Sequence, residues 1–229
     1  MLVIMSGVKQ EWAARTDRQP HDGDRRQEIV AAARIVFAKL GYSRTTVADI
    51  ATEVGISRAA FYVYFASKAD VFAALARAVR DDLIAAQDVA PAPDNNASDV
   101  LERSTVAYLD AYTRNLALLT VIEHSAISDR QIGETWREIS ERPVKRATRY
   151  IDRAVAHGIA EPAGSAAVIA EALIGIVAQF ARMLEKAPHR RQDLERDIRR
   201  ISTRLVGLPS SSTPSQRTTA VKRRKATAT

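Results

Sequence analysis

The chain contains no cysteine, so its 229 residues can form neither a disulfide nor a thiolate site. Aromatic residues make up only 6%, and glycine and proline number only 9 and 8. No stretch shows the alternation of apolar and polar residues that marks a half-buried strand. Alanine, arginine, leucine, isoleucine and glutamate instead carry much of the sequence, which favours helix. We therefore predict an all-α protein.

Membrane-spanning and catalytic signatures are also missing. The longest apolar run, 163–181, is interrupted by Glu171, which would be costly at the centre of a bilayer. The N-terminus lacks the long apolar region of a secretory signal. We predict that the run is a buried helix of a soluble, cytoplasmic protein with no membrane partner. No metalloprotease, serine-hydrolase or nucleotide-binding motif occurs, so we predict no enzyme activity, metal site or cofactor.

An excess of positive charge is the clearest feature of the composition. The formal net charge is +7 and the isoelectric point is about 9.9. This sign suits a polyanionic partner, and by itself it does not distinguish a nucleic acid from an anionic membrane surface.

Changes in periodicity divide the chain into four parts. We predict a flexible arm over 1–23, a helical domain over 24–84, a second helical domain over 85–207 and a disordered basic tail over 208–229. In the second helical domain, the patterns predict helices at about 98–115, 116–127, 131–156, 164–187 and 190–206. Pro143 lies inside one of these segments and predicts a kink or a split there.

Two short helices joined by a tight turn are predicted between Thr46 and Phe65. Thr46 precedes the first helix, and Asp49 follows three residues later, as in a capping box. Gly55 can take a positive φ at low cost in the turn, and Ser57 can cap the second helix. This is the form of a helix-turn-helix, whose second helix enters the major groove of DNA.

The second helix has a small and polar leading edge. Ser57, Ala59 and Ala60 are small enough to let the backbone approach the edges of the bases. Arg58 is long enough to reach O6 and N7 of guanine, although arginine also binds phosphates without sequence preference. We therefore predict that these four residues face DNA.

Three further residues carry groups suited to the phosphate backbone. Tyr62 and Tyr64 lie nearer the outside of the helix, with hydroxyls available for phosphate oxygens, and each also suits a packing residue with a hydrated hydroxyl. Lys68 begins the next helix, where its ammonium and the positive helix end can both meet a phosphate.

The segment from Arg25 to about Leu83 resembles the N-terminal domain of TetR-type repressors. The matching strings are IVAAARIVFAKLGY, TTVADIA, VGIS and FYVYFASKADVF. The rest of the chain is similar only in length, helical content and order. The resemblance implies a C-terminal domain for ligand binding and dimerisation. It also implies a homodimer that binds a pseudo-palindromic operator and leaves it when a small hydrophobic or amphipathic effector binds.

The same resemblance assigns roles to individual residues. It implies base-facing positions for Arg58, Ala59 and Ala60, with Tyr62 at the edge of the groove. It implies phosphate contacts at Arg44, Thr46, Tyr64 and Lys68. Arg44 also suits a solvated surface position, and Thr46 is expected to cap its helix in either case.

The second domain offers fewer signals. Its large side chains, any of which suits a ligand pocket or an ordinary core, are Tyr108, Tyr112, Trp136, Phe180 and Met183. The last two predicted helices suit either an isologous four-helix interface or the core of one subunit. The basic segment 142–149 suits an anionic ligand head-group or, more simply, a solvated face. The basic residues of 222–225 suit added DNA affinity or a solubilising tail.

Three functions are compatible with these patterns. The first is a ligand-responsive repressor, the second a ligand-binding module that no longer recognises specific DNA, and the third a basic protein that coats DNA without preference. The presence of Arg58, Tyr62, Tyr64 and Lys68 favours the first function. The third would leave more than half of the chain without a role.

Overall fold

The computed structural model describes residues 22–88 and 96–209, and within these ranges the chain is helical with no strand. The predicted arm (1–23) and basic tail (208–229) lie almost wholly outside the described residues. The helices are α1 (Asp22–Arg44), α2 (Val47–Val54), α3 (Arg58–Tyr64), α4 (Lys68–Ala85), α5 (Ala97–Ala126), α6 (Arg130–Ala156), α7 (Ala166–Lys186) and α8 (Arg191–Val206), with a short 3-10 turn at Pro188–Arg190.

Local capping explains the boundaries of the short helices. The predicted capping box of α2 is confirmed, because Thr46 accepts a hydrogen bond from the amide of Asp49 and the Asp49 carboxylate accepts one from the amide of Thr46. Gly55 ends α2 at φ 77°. Ser57 caps α3 and Ser67 caps α4 through their hydroxyls.

The prediction of two helices over 98–115 and 116–127 is wrong, because α5 runs unbroken from Ala97 to Ala126. The Asn115 side chain, which can interrupt a helix, donates instead to the carbonyl of Ala111 one turn back. Helix α6 likewise continues through Pro143 without a split.

One hydrophobic core extends through most of the molecule. It contains fully buried side chains from α1 to α4, such as Phe37 and Phe61, and from α5, such as Leu109 and Ile122. A smaller cluster around Ile151, Leu173 and other residues lies at the far end of the C-terminal helices. We use the names N-terminal domain for α1 to α4 and C-terminal domain for α5 to α8, although they share the larger core.

The far end of the C-terminal domain is closed by contacts between residues distant in sequence. Gly207 follows α8 at φ 69°, and its carbonyl accepts a hydrogen bond from the amide of Glu161. Leu208 is buried, and the carbonyl of Pro209 accepts a hydrogen bond from the Ser98 hydroxyl. The packed chain therefore extends through Pro209, two residues into the segment predicted as tail.

Candidate nucleic-acid interface and internal cavity

Helix α3 presents one face to solvent and buries the other. Phe61 is fully buried, and its ring lies 5.9 Å from that of Phe65. Arg58 and Ala59 are exposed, and Tyr62 is 45% exposed on the same outer side. The residues predicted to face DNA therefore lie on an accessible surface, with Ala60 and Tyr64 half-buried.

Arg58 and Tyr62 contact each other one turn apart. An Arg58 terminal nitrogen lies 3.4 Å from the Tyr62 hydroxyl, and the guanidinium lies 5.8 Å from the ring centre. This exposed contact is weak, so it places the two side chains together without fixing either of them. The arginine keeps the freedom that bidentate recognition of guanine needs.

Sequence analysis missed two residues of this region. Val63 is 77% exposed on α3, where an apolar side chain can contact a thymine methyl group. In the sequence, an apolar residue between two tyrosines does not indicate an exposed position. Arg26 on α1 donates to the carbonyl of Tyr64 at 2.5 Å and lies 4.0 Å over the Phe65 ring. It therefore binds the end of α3 to α1.

The four predicted phosphate-binding residues differ in their surroundings. The Lys68 ammonium donates to the carbonyls of Tyr42 and Thr45, each at 2.9 Å, and lies 4.5 Å from the centre of the Tyr42 ring. Lys68 thus joins the start of α4 to the end of α1 and to the turn that follows it. The Thr46 hydroxyl is engaged with Asp49, whereas Arg44 is exposed and donates to the carbonyl of Leu40 in its own helix.

A cavity of about 130 Å³ lies between α5, α6 and α7 and reaches the end of α4. Of the five large residues predicted for a ligand pocket, it is lined by Tyr108. The other four are partly buried against the larger core, and they are Tyr112, Trp136, Phe180 and Met183. Residues that line the cavity but were missed in the sequence include Leu101, Pro143, Arg146, Tyr150 and Val177.

The phenols in the cavity wall are neutral groups. Burial raises the pKa of Tyr108 well above its ordinary value, and the neighbouring Tyr112 raises it further. Burial also raises the pKa of Tyr150, although Arg153 opposes this shift. No group of three or more His, Asp or Glu side chains in the described residues could hold a metal ion.

Ion pairs connect α4 to both domains. Arg34 on α1 contacts Asp82 at 2.9 Å and also donates to the buried Asn115 of α5. Arg80 contacts Glu138 of α6 at 2.8 Å, and acceptors on Asp81 and Glu138 raise the pKa of this arginine. Helix α4 therefore makes polar contacts with α1 and α6, and Arg34 of α1 joins the first of these contacts to α5.

Comparison with known proteins identifies the domain that carries the exposed helix. The family model for "Bacterial regulatory proteins, tetR family" matches residues 29–75, which include α2, α3 and their turn. A tetR-family regulatory protein from Rhodococcus RHA1 has the same fold over 80% of this chain and 97% of its own, with a TM-score of 0.67 and 24% identity. Residues 29–75 thus form a DNA-binding domain of the tetR type.

Curated relatives match this chain over stretches of very different length. The HTH-type transcriptional repressor AcnR of Corynebacterium diphtheriae is 47% identical over 53 residues, which is 23% of this chain and 28% of that protein. The uncharacterized HTH-type transcriptional regulator YfiR of Bacillus subtilis is 26% identical over 159 residues, 66% of this chain and 75% of YfiR. The protein is thus a DNA-binding transcriptional regulator with a helix-turn-helix.

Proposed function

We propose that the protein is a cytoplasmic homodimeric repressor that binds a pseudo-palindromic operator and leaves it when a small hydrophobic or amphipathic effector enters the cavity. The observation that carries this proposal is the exposed face of α3. Arg58 and Tyr62 stand out from a helix whose opposite face is anchored by the buried Phe61. A rigid base with free polar tips is what recognition of base edges requires.

The assignment of individual contacts follows the exposure of each side chain. Arg58, Ala59 and Ala60 would face the bases with Ser57 at the leading end, and Val63 adds an apolar contact. Tyr62 would reach the edge of the groove. The phosphate contacts are assigned to Arg44, Thr46, Tyr64 and Lys68.

Repression is the function of AcnR by its name, and AcnR is 47% identical to this chain over 53 residues. A cavity inside the C-terminal domain supplies a place for an effector, and its lining is mainly apolar. The ion pairs of α4 supply a mechanical connection from that domain to the helix-turn-helix. Together these features support a repressor whose DNA affinity depends on a ligand.

The outer face of α7 supports a dimer. Helix α7 is long and apolar enough to cross a membrane by length and composition, yet only 33% of its most apolar window is buried within one subunit. Val168 is 63% exposed, and Ala172 and Gly175 are exposed along the same side. A second copy of this helix would cover that surface, and α8 beside it would complete a four-helix interface.

The dimer is tested by placing a charge on this surface. Val168→Glu should dissociate the dimer in sedimentation experiments, because an interface buries an unpaired carboxylate at high cost. Ile127→Glu is the matched control, since Ile127 is 82% exposed but lies outside α7. Equal sedimentation of the two variants as dimers would place the interface elsewhere.

The operator is sought by genome-wide capture of DNA on the purified protein at a fixed moderate salt concentration. A gel-shift titration of the top site against scrambled DNA follows. Recovery of a short pseudo-palindrome, bound by one dimer, is the expected result. Uniform recovery of all DNA with a steep salt dependence would contradict the proposal, because phosphate contacts alone give that behaviour.

A further inference from the structure

One charged side chain lies in the wall of the cavity. Among the described residues that line it, Arg146 of α6 is the only one that carries a charge. One terminal nitrogen of Arg146 contacts the Asp88 carboxylate at 2.6 Å, and the other donates to the carbonyl of Gln87 at 2.8 Å. Both partners follow the end of α4, and Gln87 itself lines the cavity.

Two of the hydroxyl groups in the wall are poor partners for an anion. The Tyr150 hydroxyl donates its proton to the carbonyl of Ala97 at 2.7 Å, and the Thr105 hydroxyl donates to Leu101 at 2.7 Å. Both oxygens are left with lone pairs only. Within the described lining, the guanidinium of Arg146 is the group that can form an ion pair with a negative ligand, and it lies at the rim, where its side chain is 45% exposed.

We propose that the effector is a small carboxylate with a compact apolar body, and that its carboxylate replaces Asp88 on Arg146. This inference rests on the proposed ligand-responsive function. Asp88 shows which anion the guanidinium accepts in this position, and carboxylates match the arginine fork geometrically. The cavity, at about 130 Å³, is close to the roughly 150 Å³ that accommodates benzene, so the apolar body is about one ring in size.

The exchange would act on α4. Gln87 and Asp88 contact α6 just beyond the end of α4, whereas Arg80 contacts α6 from within the helix. A ligand that takes over the Arg146 fork releases the end of α4 from α6. The other end of α4 begins at Lys68, which contacts the turn before the helix-turn-helix. The ligand thus changes a restraint on α4, the helix that follows the DNA-binding helix α3.

The test is calorimetric titration of the purified full-length protein without DNA. The probes are benzoate, phenylacetate and cyclohexanecarboxylate, each compared with its neutral amide of the same shape. At least one acid should bind about tenfold or more tightly than its amide, because a charge-assisted hydrogen bond is lost in the amide. The proposal is overturned if acids and amides bind alike, or if no acid binds at millimolar concentration.

Three variants test whether the preference for the acid over its amide depends on Arg146 and Asp88. Arg146→Gln should remove the preference for the acid. Arg142→Gln removes the same charge from an exposed position one turn earlier that does not line the cavity. This variant should keep the preference for the acid. Asp88→Asn should tighten binding of the acid by several fold, since the competing carboxylate is gone. An acid preference that survives in Arg146→Gln, or an unchanged affinity in Asp88→Asn, would overturn the exchange.

The calorimetric titration tests this inference independently of the proposed function, because it measures ligand binding without DNA. Failure of the acids to bind leaves operator recognition by α3 untouched. Failure to recover an operator leaves the calorimetric result standing. A circular dichroism melt of Arg146→Gln that matches the parent chain establishes that a lost preference is not a loss of folding.

Discussion

The caps of the helix-turn-helix and the contacts that close the far end of the C-terminal domain differ in how far apart in sequence their partners lie. In the N-terminal domain, Thr46 and Asp49 are three residues apart, as are Ser57 and Ala60. In the C-terminal domain, Ser98 contacts Pro209 across 111 residues and Tyr150 contacts Ala97 across 53. Local contacts leave a signature in a short string of sequence, whereas contacts of the second kind leave none.

The largest expected effect lies in a long-range contact. Alanine at Gly207 would place its Cβ 1.8 Å from the carbonyl oxygen of Glu161, at a φ of +69° that disfavours a side chain. We expect Gly207→Ala to lower the free energy of unfolding by about 3 kcal/mol, the sum of left-handed strain and overpacking. Urea denaturation of the variant and the parent chain measures this difference in the free energy of unfolding.

The control for this position is another glycine of the same region. Gly164→Ala places its Cβ 3.9 Å from the nearest atom, a methyl carbon of Ile169, without a positive φ. Its effect should stay within about 0.5 kcal/mol. Equal stabilities for the two variants would mean that the closure between Gly207 and Glu161 contributes little.

The next effect concerns the exposed helix of the N-terminal domain. Arg58→Ala should weaken binding to the operator by roughly 10- to 100-fold while changing binding to random DNA much less, because it removes a base contact. Gel-shift titration on both DNAs measures the ratio. Arg142→Ala, which removes an arginine from α6, is the control. A similar loss on operator and random DNA would remove Arg58 from base recognition.

Lys68 tests whether one side chain can serve both folding and binding. Lys68→Ala removes two hydrogen bonds from an ammonium to backbone carbonyls, so the free energy of unfolding should fall by about 1–2 kcal/mol. If Lys68 also contacts a phosphate, the salt dependence of DNA binding should decrease by about one counterion. Lys39→Ala, an exposed lysine of α1, controls for the charge. An unchanged salt dependence would leave Lys68 with a structural role alone.

The smallest effect is a pH dependence at the cap of α2. Hydrogen bonds from the Thr46 hydroxyl and amide hold the pKa of Asp49 below its ordinary value of 3.8. The Asp49 carboxylate therefore contributes its full stabilisation of the folded state above pH 3.8. This contribution is lost as the pH falls through the lower pKa that Asp49 has in the folded state. The melting temperature of Asp49→Asn should lie below that of the parent at neutral pH and converge with it in acid. Glu53→Gln is the matched control for one lost negative charge, and a constant difference across pH would contradict the prediction.

The contrast between the domains also explains what could be predicted from sequence. Helices α2 and α3 lie between Thr46 and Phe65 as predicted, because Thr46, Gly55 and Ser57 act through neighbouring residues. The break predicted near residue 115 is wrong because Asn115 is satisfied within α5 and by Arg34, which lies 81 residues away. No local pattern carries that information.

The candidate sites follow the same division. The outward residues of α3 were chosen from the sequence, and the structure places Arg58, Ala59 and Tyr62 on one exposed surface. For the ligand pocket, the sequence offers only the size of five side chains as a criterion, and Tyr108 is the one of these five that lies in the cavity wall. Arg146 was visible only as part of a basic segment. Its significance depends on Asp88 and Gln87, which approach it through the tertiary fold.

The shared hydrophobic core has a consequence for the evolution and engineering of such regulators. Buried residues of α1 and α4 pack in the same cluster as those of α5, α6, α7 and α8. The helix-turn-helix is therefore not a cassette that recombination can transfer intact. A chimera that grafts α1 to α4 onto a foreign sensor would expose apolar faces matched only to the native partner. New operator specificity is more accessible by substitution on α3 than by exchange of the whole domain.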